Sequence, residues 1–574
     1  MTDIRRTALW VVFTMSLVLL WDGWQKHNGQ PSMFNPGKAV ATAPAAAAPG
    51  SASVPAASVA TGTPGQAPAL PSAPAVVGEK IVIRTDVLTV TVDTLGGDIV
   101  RAELPQYLTS ADPEVTAQLL QMVGLQKKPE FKPQPVVLFN ADQNYRAQTG
   151  LVSTQGTGLP THTTLLTAQP GERSLVAGQD EIKLRMESPE VGGVKLIKTL
   201  TFKRGAYTVG VTHEVVNTGS TPVTPQVYLQ LVRDGSLTAG GAAFTPSFTG
   251  PAVYTDKSKF HKIEFKDIDK GKVDIDKTAN DGWVAMIQHY FASAWLVPEA
   301  RSREFFVRKL PGQAGVVGDA YASGMVVTLD TLAPGATTTT QATLFAGPQE
   351  EDKLSALASG LARVKDYGWL TILAEPLFGL LTWLHGLIGN WGWTIVALVL
   401  LLKAALYWLN ASAYKSMAKM KAVAPRIAEM KERLKDKPQE MQSEMMRIYK
   451  EEKVNPVGGC LPIFLQMPIF MALYWVLLST VEMRQAPWTL WITDLSVRDP
   501  YFILPLLMMA SSLFQVWLNP PAADPMQQKM MWLMPVAFGV MFFVFPAGLV
   551  LYWLTNNILS IAQQWLINRR LGVN

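Results

Sequence analysis

The chain has 574 residues, 48% of them hydrophobic and 17% charged, with a mean hydropathy of +0.15, so it combines a membrane part with a soluble part and has room for more than one domain. Its net charge of +5 is small for this length, so where the charges sit matters more than their sum. The single cysteine, Cys460, excludes an intrachain disulfide, and the six scattered histidines, without HExxH or CxxC spacing, give no sign of a metal site.

Residues 1–28 open with Arg5 and Arg6 ahead of an apolar stretch, 7–21, followed by Trp21-Asp22-Gly23-Trp24 rather than a small-residue cleavage site. That pattern predicts an uncleaved signal anchor. Residues 29–78 read as a linker. From 39 to 78 no residue is charged, and Ala, Pro, Ser, Thr, Gly and Val make up most of it.

Residues 79–350 read as β. Tyr207, Val209, Val211 and Val215 alternate with Thr208, Gly210, Thr212 and Glu214, the period of a half-buried strand. Turn signals such as Leu95-Gly96-Gly97-Asp98 separate many short strands, which predicts a large β-sandwich. A short helix is expected near 115–123. The alternating charges of 257–277 read as a solvated loop, and no catalytic constellation stands out in this domain. Residues 351–390 change character. Leu354, Leu357, Ala358 and Leu361, and after Pro376 Leu377, Leu380, Leu381, Leu384 and Leu387, recur at helical spacing. They predict an amphipathic helix on the membrane surface, with docking on the β domain as the alternative.

Residues 391–574 carry five apolar stretches, 391–409, 457–481, 501–518, 530–545 and 547–567. With the anchor they make six predicted spans. A basic helical hairpin, 411–455, separates the first two of the five and carries Lys415, Lys419, Arg426, Lys431, Arg433, Arg447 and Lys450 among others. Loop 482–499 holds only Arg484 and Arg498 against three acids, whereas Lys529, Arg569 and Arg570 fall on the hairpin's side. The positive-inside rule therefore puts both termini and the hairpin in the cytoplasm and 79–350 outside.

Lys403 is the only charge in 391–409. A charge at the centre of a span costs about 2.5–3.5 kcal/mol on insertion scales. It either faces a polar cavity or snorkels to the interface, about 9 Å away at 1.5 Å per residue. Gln466, Gln515, Ser560, Gln563 and Gln564 share its inner half, and Asn556 and Asn557 lie near mid-membrane. Asn556, Ser560 and Gln563 fall on one helical face. Together they favour a wet cavity open to the cytoplasm, although each alone reads equally as interhelical glue. No span contains Asp or Glu, which counts against a proton- or sodium-driven transporter. A Ser/Lys hydrolase using Ser511, Ser512 or Ser560 has no sequence pattern fixing the pair. In the hairpin, Met417, Met420, Met430, Met441, Met445 and Met446 suit adaptable apolar contacts, and equally suit packing between its own helices.

These stretches resemble the YidC membrane protein insertase family, the bacterial relative of the mitochondrial and chloroplast insertases. The matching residues are Asp366-Tyr367-Gly368-Trp369-Leu370, Gly389-Asn390-Trp391-Gly392-Trp393, Ser416-Met417-Ala418-Lys419-Met420, Lys453-Val454-Asn455-Pro456 with Gly458-Gly459-Cys460, Gln466-Met467-Pro468-Ile469-Phe470, Asp524-Pro525-Met526-Gln527-Gln528-Lys529 and Phe545-Pro546-Ala547-Gly548-Leu549. They cover roughly the C-terminal 210 residues; the anchor, linker and β domain match by pattern only. The resemblance implies a five-helix core and a periplasmic β-supersandwich in the inner membrane of a bacterium. It implies a groove charge, usually Arg, at the place of Lys403, and a substrate-contacting aromatic at Trp553 beside Tyr552. The expected function is a non-enzymatic insertase and chaperone for nascent membrane proteins, working alone or with the Sec translocon. Ribosomes and targeting factors are expected partners alongside the lipid bilayer, with no cofactor and no small-molecule substrate. A membrane scaffold that merely anchors the periplasmic domain is the alternative.

Overall fold

The computed structural model describes residues 77–110, 115–122, 125, 127, 131–153, 158–236, 247–310, 319–434, 437–452, 461–518 and 525–571. The predicted N-terminal anchor and nearly all of the predicted linker lie outside the described residues. The chain divides into two compact units. One holds the strands and runs to Lys365 but omits Ser110–Phe131; the other holds Ser110–Phe131 and Asp366–Asn574.

Among the described residues, the first unit forms two nine-stranded antiparallel sheets. Strand Thr208–Asn217 shows the expected alternation of buried and half-buried side chains, and it pairs with Val194–Lys203 and Thr337–Pro348. Strand Pro225–Asp234, at the middle of the other sheet, is buried throughout, because residues on both its faces are covered. Trp295 Nε1 donates to Gln230 O at 3.1 Å across the two sheets. The turn Leu95-Gly96-Gly97-Asp98 depends on glycine: Gly96 has φ 73°, and a Cβ there would stand 2.3 Å from His162 O.

That turn feeds a polar cluster between the sheets. Lys198 Nζ donates to Gly96 O at 2.6 Å and to Thr149 O at 3.0 Å, and Gln148 Nε2 donates to Asp98 Oδ2 at 2.7 Å. Burial pushes the Asp98 carboxyl up to about 7 and the Lys198 ammonium down to about 8. His213 Nε2 lies 2.7 Å from Thr149 Oγ1, and burial pushes its imidazole down to about 3.

The second unit is helical: α1 (Val115–Met122), α2 (Thr371–Ile388), α3 (Trp391–Ala405), α4 (Tyr407–Arg433), α5 (Pro438–Glu451), α6 (Leu461–Ser479), α7 (Ile503–Leu518), α8 (Pro525–Phe542) and α9 (Ala547–Leu571). Gly389, in the left-handed region, closes α2, and Asn390 caps α3 by accepting from Trp393 N at 3.1 Å. Ile395, Leu398, Val399, Leu473, Val476, Leu477, Phe542, Phe545 and Leu549–Leu551 fill the core. Chain connectivity puts loop 480–502, between α6 and α7, at the end of the bundle away from the α4–α5 hairpin.

Two expectations change in detail. The apolar run 391–409 is not one helix. It ends at Leu406, whose φ −93° and ψ 11° leave the helical region, and α4 begins at Tyr407. By length and composition, Thr371–Ile388 is the one described helix sufficient to cross a membrane, while Trp391–Ala405, Gln466–Ser479 and Ile503–Leu518 are shorter apolar helices. In α2, Ala374, Phe378, Leu381 and Leu384 are buried, yet Ile372, Trp383 and Leu387 on the other sides are exposed.

Candidate functional site

Within the helical unit, side chains from four helices meet in one polar cluster. Lys403 on α3 donates from Nζ to Ser560 Oγ on α9 at 2.7 Å. Ser560 Oγ donates in turn to Asn556 O, one turn back, at 2.7 Å. Asn556 Oδ1 accepts from Gln466 Nε2 on α6 at 2.9 Å. On the adjoining face of α9, Asn557 Nδ2 donates to Ser511 Oγ at 2.8 Å and Ser512 Oγ at 3.3 Å, both on α7. The i, i+4 spacing of Asn556 and Ser560 sets both on one stripe of α9, and the packing of α3 against that helix brings Lys403 to them.

Lys403 is half-buried, and it has no carboxylate partner among the described residues. A buried charge without a counter-ion needs polar partners or water. The cluster supplies oxygens and amides, so the side chain turns inward rather than snorkelling along the helix surface. The arrangement does not suit nucleophilic catalysis. The Ser560 hydroxyl proton is committed to a main-chain carbonyl, and Lys403 is itself a donor to that oxygen, the reverse of a base taking a proton from it.

The expected residues do not all join this cluster. Gln563 reaches Tyr407 O only at 3.5 Å, at the edge of hydrogen bonding. Gln515 is half-buried on α7 and takes no part in the bonds above. Tyr552, expected on the groove, is instead a core residue, 3% exposed and stacked on Phe470 with ring centroids 5.9 Å apart. The stripe spacing points Tyr552 the same way as Asn556, but α6 covers that turn of α9. Trp553, next in sequence, faces a cavity of about 490 Å³ lined by Met508, Ser512, Val516, Met530, Met534 and Phe542, with others. Its ring meets Phe470 and Phe542 edge-on, each at 4.5 Å, and its buried Nε1 has no hydrogen-bond partner among the described residues.

Sequence reasoning missed this cavity. Its signal was the pairing of Met508 with Met530, Met531 and Met534, which only the packing of α7 on α8 reveals. The buried Asn410 on α4 was missed as well, because it stands one residue beyond the apolar run.

The hairpin methionines also take a definite place. Met430 is 4% exposed and packs with Val423, Ile427 and Ile448, while Met441 and Met445 close over that core. These three therefore hold the hairpin together instead of presenting an apolar face. Met446, 58% exposed, is a methionine that does face outward.

Comparison with known proteins places this geometry in a family. The family described as "60Kd inner membrane protein" matches residues 383–573, and the "YidC periplasmic domain" matches residues 80–129 and 125–380. The chain is 52% identical over 577 residues to "Membrane protein insertase YidC" of Cupriavidus necator, covering 99% of this chain and 98% of that protein. It is 48% identical over 587 residues to the protein of the same name from Ralstonia nicotianae, covering 100% of this chain and 99% of that one. A crystal structure of an active YidC insertase with its first transmembrane domain resolved shares 18% identity, with a TM-score of 0.35 over 85% of this chain and 94% of that chain. Relatives near half identity along the whole length, together with both family matches, show that the chain belongs to the YidC family of membrane protein insertases.

Proposed function

We propose that the chain is a membrane protein insertase of the bacterial inner membrane, with both termini and the hairpin in the cytoplasm and the β unit in the periplasm. The N-terminal stretch 7–21, α3, α6, α7, α8 and α9 serve as six spans, with α2 lying in the interface. Exposed Glu375 in the second turn of α2, and exposed Trp383, support an interfacial place over a lipid-buried one. The β unit belongs to the supersandwich class, and 391–574 forms the five-helix insertase core.

One observation carries the reading: Lys403, Ser560, Asn556 and Gln466 join three helices of the bundle through an acid-free polar cluster. Such a cluster in the inner half of the bundle holds water and shortens the apolar path. The polar flank of a nascent membrane protein enters there, and its apolar helix leaves sideways past Trp553 and the methionine-lined cavity. The cation suits acidic flanks. The work is binding and guidance, with no covalent step. The resemblance extends the reading to action alone or with the Sec translocon, fed by ribosomes and targeting factors.

Site-directed crosslinking tests this. A photoreactive residue at Gln515 or Gln563, in a full-length chain presented with a stalled nascent membrane protein, should crosslink to it, and one at Val176 on the β unit should not. If neither core position yields a crosslink, the core is a scaffold anchoring the β unit and the insertase reading fails.

A further inference from the structure

Segment Ser110–Phe131 lies in sequence among the β-strands, yet it packs as part of the helical unit. Among the described residues, two side-chain bonds join it to that unit. Ser110 Oγ donates to Asp494 Oδ2 at 2.8 Å. The buried Gln118, on α1, donates from Nε2 to Asp499 O at 2.9 Å. Asp499, four residues ahead of α7, also accepts from the first turn of that helix. Its carboxylate accepts from Tyr501 N at 2.9 Å, Leu504 N at 2.6 Å and Trp491 Nε1 at 3.0 Å. Gln118 therefore rests on a residue bonded to the start of α7.

The rest of the segment points the other way. Leu119 and Leu120 are 44% and 42% exposed, Leu125 is 78% exposed and Phe131 is 43% exposed. Leu125 N donates to Leu120 O at 2.9 Å, which keeps the main chain at Leu125 close to the end of α1. Lys127, also exposed, follows two residues later. Scattered exposed leucines need no account, but four large apolar side chains within thirteen residues do. The neighbouring loop adds to them. Tyr501 is 54% exposed, and Leu490 is 82% exposed at φ 54°. A leucine in the left-handed region costs about 1–2 kcal/mol, so Leu490 holds that turn tip at a cost that glycine avoids.

The geometry points to α1, with the exposed Leu125 and Lys127 beyond it, as an interfacial anchor: Leu119, Leu120 and Leu125 enter the periplasmic leaflet of the bilayer, beside Leu490 and Tyr501, with Lys127 at the lipid phosphates. The occupant is lipid because of where the patch sits. Leu119 and Leu120 follow directly on Gln118, so they lie within about 8 Å, along the chain, of the residue seated at the start of α7. A span's end lies at the hydrocarbon boundary, where apolar side chains with a flanking lysine partition into headgroups and upper acyl chains. The inference rests on α7 being a span and goes beyond the insertase reading, because it assigns part of the β-domain sequence to membrane contact.

Depth-dependent quenching tests it in the full-length chain. With Cys460→Ser as background, Leu119→Cys, Leu120→Cys, Leu506→Cys and Val176→Cys variants are labelled with an environment-sensitive fluorophore. Each is reconstituted in phosphatidylethanolamine–phosphatidylglycerol vesicles bearing doxyl groups high on the acyl chain. Labels at Leu119 and Leu120 should be quenched about twofold or more beyond the label at Val176, as expected for side chains at the acyl boundary. Leu506, exposed on α7, reports the span itself. Quenching at Leu506 with none at Leu119 and Leu120 overturns the anchor alone and turns the patch over to a protein partner. Absence of quenching at Leu506 overturns the span reading and the anchor with it.

Discussion

Lys403 concentrates the chemistry of the helical unit in one side chain. Its ammonium is bonded to Ser560, and no acid lies anywhere in the predicted spans. Lys403→Arg should therefore keep insertion, since the charge stays. Lys403→Glu should abolish it, because an anion would sit beside Asn556 O and Ser560 with no cation to meet it. Lys403→Ala should weaken insertion about tenfold, the equivalent of roughly 1.4 kcal/mol, most of all for substrates with acidic flanks. Complementation of a depleted strain at matched expression measures all three. Normal growth with both Ala and Glu would remove the charge from the mechanism. A second residue-scale prediction concerns His213, which is fully buried with its titration pushed from 6.5 to about 3. As pH falls below 6.5 the unfolded chain takes up a proton that the folded chain refuses, so stability is lost by up to about 1.4 kcal/mol per pH unit from this group. His162, pushed to about 4, acts in the same direction, and Asp98, raised to about 7, acts against both. His213→Gln keeps a polar group for Thr149 and removes the proton site. Hydrogen exchange in strand Thr208–Asn217 should then be less acid-sensitive between pH 6.5 and 4.5 than in the unmodified chain. Equal acid sensitivity would mean that His213 carries none of the loss.

At the scale of elements, the α4–α5 hairpin has its own small core, separate from the core of the bundle. Its outer ion pairs, such as Arg426 with Glu451 and Glu452, are half-exposed and contribute little. Met430→Ala should thus loosen the hairpin by about 2 kcal/mol, the low end for truncating a buried methionine, without touching α3, α6 or α9. Hydrogen exchange would accelerate in Pro438–Glu451 and stay unchanged in Leu461–Ser479. Removing residues 430–445 should impair insertion for the same reason, and unimpaired insertion would make the hairpin a passive connector. Some elements were plain in the chain itself. Strand Thr208–Asn217 was legible because alternation is a local property of a half-buried strand. Asn556 and Ser560 were legible as one stripe because helical spacing is local as well. Tyr552 obeys the same spacing and was misread, because whether that turn is covered depends on Phe470 from another helix. The break at Leu406 was invisible, since the run of apolar residues continues through it.

For the whole molecule, the distribution of lysine and arginine predicts one orientation. A phosphatase reporter inserted within 431–437 should be inactive, and one near Val176 should be active. Activity at the first position would invert the proposed topology. Deletion of the β unit separates the two architectures further. Removing 79–334 as a block takes away Ser110 and Gln118, hence the bonds to Asp494 and Asp499. A deletion that retains 110–131 should preserve the start of α7 better than the block deletion. The sequence by itself determined the mostly β region followed by a helical one, the family, and the absence of Asp and Glu from the C-terminal apolar stretches. These follow from period, composition and motif, which are written along the chain. Only the tertiary structure decided that Lys403 meets Ser560, that Trp553 rather than Tyr552 faces the methionine-lined cavity, and that 110–131 packs with the helices. Lys403 and Ser560 are 157 residues apart and Ser110 and Asp494 are 384 apart, and no local pattern encodes which distant surface will cover a given face.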